Sequence, residues 1–159
     1  APARYYLAMN LGQLARTRTL GALSLVNEME ALFLSVRVAD ERFDEAGPDR
    51  CLGLLYRDAP GWPLSVGSRS KARRHLRRAV ELAPEFPENR LNLIEGLLQW
   101  NDLKEARRET ESTAALLPGA RQRLSGDAWR SSWMDWDRRW TAMTGNRDLF
   151  PPRERSAQP

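Results

Sequence analysis

Histidine and cysteine, the side chains that most often bind zinc and that serve widely in catalysis, are rare in this sequence. His75 and Cys51 are the only histidine and the only cysteine in the 159 residues. Their number excludes the usual zinc clusters and an internal disulfide. A Ser-His-Asp triad would depend on His75, which lies in a basic run with no acidic residue close in sequence to orient it. We therefore interpret His75 as a structural or surface residue.

Other enzyme signatures are missing as well. The sequence contains neither a phosphate-binding loop nor the glycine pattern of a dinucleotide site. Glu109 and Glu111 are spaced as ordinary charges on a helix surface. The sequence therefore predicts a protein with no catalytic residue, no metal site and no cofactor, and its chemistry is expected to be that of binding.

Composition and charge describe a folded chain with a modest positive charge. Hydrophobic residues make up 42% and charged residues 29%, which is a globular balance, and the length suits one domain. The net charge of +4 is too small and too scattered to indicate nucleic-acid binding by itself. A local basic run does occur, formed by Arg69, Lys71, Arg73, Arg74, Arg77 and Arg78. It is interpreted as a solvated helix face, with phosphates or acidic lipid as the alternative contact.

A period of 34 residues organises the centre of the chain. Three residue pairs repeat at this distance: Ala72 and Ala106, Leu82 and Leu116, Pro84 and Pro118. Small residues inside the helices and a proline closing the second helix, at this period, form the signature of the tetratricopeptide repeat (TPR), a helical hairpin. A longer spacing of 41 residues relates Leu11-Gly12 to Leu52-Gly53 and Ala31 to Ala72, which predicts two hairpins lengthened by seven residues.

These spacings predict an all-α chain, a TPR-like solenoid of about three repeats over residues 4–118. The predicted repeats are 4–43, 46–84 and 87–118. Their predicted helices cover 4–16, 20–43, 49–57, 70–83 and 103–117. The helix at 20–43 is apolar on more than one face. Either the second repeat and the C-terminal segment cover it, or further repeats precede Ala1 in the natural protein.

The loop at 59–68 contains two prolines and two glycines, so a regular helix is excluded there. Trp62 in this loop either pins the loop onto the adjacent helices or lines a binding surface. In the third repeat, Thr110 and Thr113 stand where the second repeat has Leu76 and Ala79. This more polar surface is expected to weaken packing for a fourth repeat.

The residue pattern of the C-terminal region predicts a capping helix followed by a tail. Apolar residues recur at helical steps along one face of a predicted capping helix at 127–145: Trp129, Trp133, Trp136, Trp140 and Met143. The tryptophans either cover the open end of the solenoid or form an exposed aromatic ridge for a partner. The tail at 146–159 has little to bury and is expected to be extended, with a partner chain as one way of holding it.

The first helices of the hairpins would line a concave face, which is the predicted binding site for a partner or ligand. Its residues are Tyr6, Met9, Gln13, Arg16, Arg50, Leu54, Arg57, Glu88, Leu91, Asn92 and Glu95, together with Trp62 of the loop. Arginines beside apolar and amide groups suit a peptide or a carboxylate ligand. Alternatively, Arg50 and Arg57 pair with Glu88 and Glu95 across the groove.

The sequence over about 4–118 resembles the TPR family, whose members are helical solenoids that bind other proteins. The resemblance therefore implies a non-catalytic protein-interaction or scaffold subunit. Such a subunit binds protein partners and is not expected to bind nucleic acid. The carboxylate clamp of chaperone-binding TPR proteins is not matched. Its basic and amide positions fall on Met9, Gln13, Cys51, Glu88 and Asn92.

The loop Ala59-Pro60-Gly61-Trp62-Pro63, with Gly67 and the helix that follows, is similar to the TPR-type T component of bacterial TRAP transporters. That family is exported and associates with a periplasmic solute-binding protein. The similarity implies the alternative function of a transport-accessory or small-ligand-binding protein, and it favours the periplasm over the cytoplasm. No apolar run is long enough to predict a membrane span, because charged and amide residues interrupt 20–34.

Overall fold

The computed structural model describes residues 2–17 and 22–145, with the backbone alone at residues 16, 17 and 22. Within these ranges the chain is all-helical and contains no strand, which confirms the predicted all-α class. The helices are α1 (Pro2–Thr17), α2 (Ala22–Ala39), α3 (Phe43–Asp58), α4 (Arg69–Leu82), α5 (Pro87–Gln99), α6 (Leu103–Arg123) and α7 (Arg130–Thr144), and a 3-10 turn spans Asp127–Trp129. The predicted tail at 146–159 and the start of the predicted helix at 20–43 lie outside the described residues.

The chain divides into two compact units, residues 1–93 and 94–159, with the division inside α5. In the first unit α1 packs on α2, α2 on α3, and α3 on α4. Helices α1, α2 and α4 each bury one face, because their apolar residues recur at helical spacing. Helix α3 packs on both α2 and α4, and every residue from Ala46 to Gly53 is buried. The buried residues include Tyr5, Ala8, Phe33, Val36, Leu52, Leu55, Ala72, Leu76 and Ala79.

Two glycines let the paired helices of this unit approach closely. A Cβ atom on Gly12 of α1 would lie 3.0 Å from the Met29 side chain of α2. A Cβ atom on Gly53 of α3 would lie 2.7 Å from the Leu76 side chain of α4. The recurrent Leu-Gly pair of the sequence therefore marks the same kind of close helix contact in both pairs.

The predicted equivalence of Ala31 and Ala72 is wrong. Ala72 is fully buried, whereas Ala31 is exposed on α2. Phe33 and Val36 supply the buried face of α2 instead. The spacing matched two alanines by sequence distance, which does not determine which face of α2 is buried. The apolar residues Leu23, Leu34 and Val38 of α2 are also exposed.

Two helix starts have side-chain caps, and two predicted helix ends are clearly wrong. The helix predicted to end at residue 43 ends at Ala39. The Ser68 hydroxyl accepts from the Lys71 backbone N–H at the start of α4, and Asp102 accepts from Glu105 N–H at the start of α6. The predicted end of α6 at residue 117 is wrong, because the helix continues through Pro118 to Arg123. Ala120 is fully buried on the same stripe as Ala106, so packing favours the longer helix.

In the second unit the tryptophan stripe of α7 faces inward. Trp133 and Trp136 are buried with their ring centroids 4.9 Å apart, edge to face, and Trp133 Nε1 donates to the Leu124 carbonyl oxygen at 2.6 Å. An exposed aromatic ridge built from all four tryptophans is therefore wrong. Thr110 and Thr113 are buried too, because each hydroxyl donates to a backbone carbonyl one turn earlier.

Candidate functional site

A left-handed turn precedes the regular part of α3. Asp44, Glu45 and Ala46 have φ angles of 51°, 53° and 62°. This conformation costs residues with a Cβ atom about 1–2 kcal/mol each, so it persists only where the surroundings impose it. Arg50 Nη1 donates to the carbonyl oxygens of Asp44 and Glu45, both at 3.1 Å, and Asn89 Nδ2 donates to Glu45 O at 2.9 Å. These donors hold the turn.

The Arg50 guanidinium is the centre of this arrangement and is only 8% exposed. Its Nη2 lies 2.6 Å from Asp44 Oδ2, and its Nη1 donates to Asn89 Oδ1 at 3.1 Å. Arg50 therefore forms an ion pair with Asp44, a partner that the sequence analysis did not consider. Its pairing with Glu88 or Glu95 stays a prediction. The left-handed turn brings Asp44 back over α3, which sequence spacing does not reveal.

Two further titratable side chains border the guanidinium. The Tyr5 hydroxyl donates to Asp44 Oδ2 at 2.7 Å and lies 3.5 Å from Cys51 Sγ. Burial raises the pKa of the Tyr5 hydroxyl and the pKa of the Cys51 thiol above their ordinary values. Both groups therefore stay protonated at neutral pH, and they connect α1 to α3.

His75 belongs to a second buried polar cluster. The Asp49 carboxylate is fully buried and accepts from Arg37 Nε at 2.9 Å, and its other oxygen lies 2.7 Å from His75 Nδ1. The acidic partner missing from the local sequence therefore comes from α3 through helix packing. His75 is only 6% exposed, so of the two interpretations the structure supports the structural one. Asp49 and His75 are arranged like the aspartate and histidine of a Ser-His-Asp triad, but both side chains are buried, so a substrate has no access to them.

Tyr56 extends this cluster toward the surface. Its hydroxyl donates to Glu30 Oε1 at 2.6 Å, and Lys71 Nζ lies 4.9 Å from the ring centroid. Burial and the bond to Glu30 raise the pKa of the Tyr56 hydroxyl. Three helices, α2, α3 and α4, are thus joined by polar contacts as well as by apolar packing.

The loop at 59–68 is held by its own backbone. Gly67 N–H donates to Pro60 O at 2.9 Å, Ser68 N–H to Tyr56 O at 2.8 Å, and Leu64 N–H to Gly61 O at 3.1 Å. A Cβ atom on Gly67 would lie 2.1 Å from the Ala59 carbonyl oxygen, so a glycine is required there.

Trp62 contributes nothing to holding this loop, because it is 89% exposed. The interpretation that it pins the loop onto the helices is therefore wrong. Nor does it enclose a pocket among the described residues. Its place in a binding surface stays a prediction.

Of the predicted binding residues, three form a continuous exposed stripe. Tyr6, Met9 and Gln13 lie at helical spacing on the solvent side of α1, and Tyr6 is 57% and Met9 41% exposed. The side chain of Arg16, which would continue the stripe, lies outside the described residues.

Trp62 of the loop is also accessible, but the predicted binding residues of the other helices are less so. Leu54, Arg57 and Glu88 are half-buried, and Arg57 Nε pairs with Asp58 at 2.6 Å. Leu91 and Asn92 are buried. Glu95 belongs to the second unit, where Arg139 Nε donates to it at 2.7 Å. The accessible part of the predicted face is therefore the α1 stripe.

The second unit contains an open cleft of about 490 Å³ that the sequence analysis missed. Its lining residues are Arg121, Leu124, Ser125, Gly126, Asp127, Arg130, Trp133, Met134 and Asp137. Arg121 pairs with Asp137 and lies over the Trp133 ring, and Arg130 pairs with Asp127. Each arginine is matched by an aspartate, so the cleft does not select for a ligand charge. The only sign of this cleft in the sequence was the alternation of Arg and Asp residues around the tryptophans.

Comparison of the chain with protein-family models finds no match, and comparison with curated proteins finds none either. In the part of the chain that the structure describes, no three His, Cys, Asp or Glu side chains are grouped to hold a metal ion. Among the same residues, no helix has the length and apolar character needed to cross a membrane.

Proposed function

We propose that this chain is a TPR-like repeat protein that binds a partner protein without catalysis. Two observations support repeats. Gly12 and Gly53 make the same kind of close helix contact, and Ala72 and Ala106, 34 residues apart, are both fully buried. A TPR-like solenoid of about three repeats, ending in the tryptophan-rich helix, is part of this proposal.

The exposed stripe of Tyr6, Met9 and Gln13 carries the proposal. The adjacent face of α1 is anchored, because Tyr5 and Ala8 are buried at 2% and 0% exposure. An aromatic ring, a flexible thioether and an amide on a fixed helix suit an extended or helical peptide, which offers apolar side chains and backbone polar groups. Leu7 and Leu14, also exposed on α1, enlarge the apolar surface.

The test is a selection of peptides from a displayed random library against the folded chain, followed by affinity measurements on the selected peptides. The Tyr6→Ser/Met9→Ser variant is expected to bind them on the order of tenfold more weakly, since about 1–2 kcal/mol of buried apolar contact is lost. Met134→Ser, which changes an exposed methionine of the second unit, is the matched control and keeps full affinity.

Equal binding by the Tyr6→Ser/Met9→Ser variant and the unmodified protein would move the interaction away from α1. Recovery of no peptide above background would contradict the peptide-binding function itself. Circular dichroism of both variants verifies that the exposed substitutions leave the helices intact.

A further inference from the structure

One side of helix α2 is exposed and carries no charged residue. Four exposed residues form this side at steps of four, three and four, and we name them the α2 stripe: Asn27, Ala31, Leu34 and Val38. Helical spacing places the stripe opposite Phe33 and Val36, which are buried. Among its apolar members, Val38 is 86% exposed. The stripe therefore keeps apolar area in contact with water, and covering it would lower the free energy.

The exposed side of α4 has a different character. Its exposed residues are all polar and mostly charged: Arg69, Ser70, Lys71, Arg74, Arg77 and Glu81. On α2, in contrast, Glu28 is the one exposed charged residue among those whose side chains the structure describes. An uncharged stripe at steps of three and four is the pattern of a helix that packs on another helix. The composition of α2 therefore indicates a second packing surface.

We propose that the α2 stripe binds the α2 stripe of a second copy of this chain, with the two helices antiparallel. In this arrangement Ala31 of each copy meets Leu34 of the other. Asn27 of each copy meets Val38 of the other in the same way. A smaller side chain thus faces a larger one in every layer, which fills the space between the helices. A twofold axis relates the copies, so each contact occurs twice and the dimer is closed.

The charges beside the stripe are complementary in the same arrangement. Antiparallel pairing brings Glu30 of one copy close to Arg37 of the other. It brings Glu28 close to Ser35, so like charges do not meet. Glu30 and Arg37 also have partners within their own chain, so we expect them to influence orientation more than affinity. A parallel pair would instead set Ala31 against Ala31 and leave a gap. Size and charge therefore both favour an antiparallel second copy.

The test is the mass of the full chain in solution, measured by analytical ultracentrifugation over a range of concentrations. The mass is expected to rise from that of a monomer to that of a dimer as the concentration increases. Leu34→Arg is expected to raise the dissociation constant on the order of a hundredfold or more, because both symmetry-related leucines become charges in an apolar layer. Met134→Arg adds the same charge at an exposed apolar position of the second unit. This matched control should dimerise like the unmodified protein.

Disulfide cross-linking tests the orientation of the two helices. Chains with Ala31→Cys are mixed with chains with Leu34→Cys, one of the two carrying a tag that distinguishes them by size, and the mixture is oxidised. The expected product joins unlike chains, because the antiparallel pair places residue 31 of one copy against residue 34 of the other. The native Cys51 is buried, so it should contribute little cross-linking.

Three results would overturn the proposal. One is a chain that stays monomeric at every concentration, which would assign the α2 stripe to another protein or to further repeats. Another is a dimer that Leu34→Arg leaves intact or that Met134→Arg weakens equally. The third is a set of disulfides mainly between like chains, which would show parallel helices. Circular dichroism verifies that the variants keep their helices. The α1 stripe keeps all its residues in these variants, so peptide binding and self-association fail or succeed separately.

Discussion

Arg50 and Asn89 meet at 3.1 Å between Nη1 and Oδ1, and both donate to the carbonyl oxygen of Glu45. Asn89 also donates to the carbonyl oxygen of Ala79 at 3.1 Å. A single amide and a single guanidinium therefore connect the left-handed turn, α3, α4 and the start of α5. Arg50 also donates to the carbonyl oxygen of Asp44, so removing Arg50 takes this donor from the turn, whereas the carbonyl oxygen of Glu45 keeps one donor when only one of the two side chains is removed.

Arg50→Met is expected to lower the free energy of unfolding by about 2 kcal/mol, because the carbonyl oxygens of the turn lose a charged donor and the half-exposed Asp44 carboxylate loses its ion-pair partner. Urea unfolding followed by circular dichroism measures this change. Arg78→Met is the matched control. Its partners Glu41 and Glu81 are accessible to water, so the midpoint should move little. Equal midpoints for the two variants would show that Arg50 does not stabilise the turn.

Glu45→Gly is expected to stabilise the chain by about 1 kcal/mol. Glu45 is exposed and has a φ angle of 53°. Glycine removes the steric cost of this left-handed conformation in the folded state. It also raises the entropy of the unfolded chain, which offsets part of the gain. Glu45→Ala removes the same charge but keeps the Cβ atom, and it should bring no such gain. Comparing the urea midpoints of the two variants with that of the unmodified chain distinguishes the effect of backbone strain on stability from the effect of the lost charge. A gain shared by both variants would assign the effect to charge.

Gly53→Ala is expected to destabilise the first unit by about 1–3 kcal/mol, because its Cβ atom would lie 2.7 Å from two atoms of Leu76. Gly119→Ala is the control, since a Cβ there meets only the Arg123 side chain at 3.6 Å. That change should be neutral or stabilising, as expected for alanine in a helix. Thermal unfolding of both variants gives the comparison. If Gly53→Ala left the unfolding temperature unchanged, α3 and α4 could move apart without loss of stability.

Stability is expected to fall at alkaline pH. The pKa of the Cys51 thiol is raised by burial in the folded state, so the folded chain retains a proton that the unfolded chain releases above about pH 8.5. The contribution is fully present below that pH and is lost progressively as the pH rises toward the folded pKa. Tyr5, whose pKa is also raised, adds the same dependence above about pH 10.

Urea midpoints between neutral pH and pH 10 measure this dependence. Cys51→Ala should flatten the first part of the decline, because alanine does not titrate. In the unmodified protein, the thiol should react with a disulfide reagent slowly when folded and at once in urea. A fast reaction of the folded protein would contradict the burial of Cys51.

The sequence by itself determined the helical class and the buried faces of α4 and α6, but it left open whether the tryptophans of α7 face inward. These features follow from periodicity along one helix, since residues such as Ala72, Leu76 and Ala79 must share a face. The recurrence of the Leu-Gly pair was visible in the sequence, but the close helix contacts at Gly12 and Gly53 are seen only in the structure.

The tertiary structure alone decided the rest. Arg50 was predicted on an open groove but is buried, because its partners Tyr5 and Asn89 lie 45 and 39 residues away in the chain. His75 has its acidic partner 26 residues earlier, on another helix. Trp62 is exposed because backbone hydrogen bonds suffice to hold its loop. Polar contacts of this kind depend on which helices pack together and on how each helix is rotated about its axis. The spacing of residues along the sequence specifies neither.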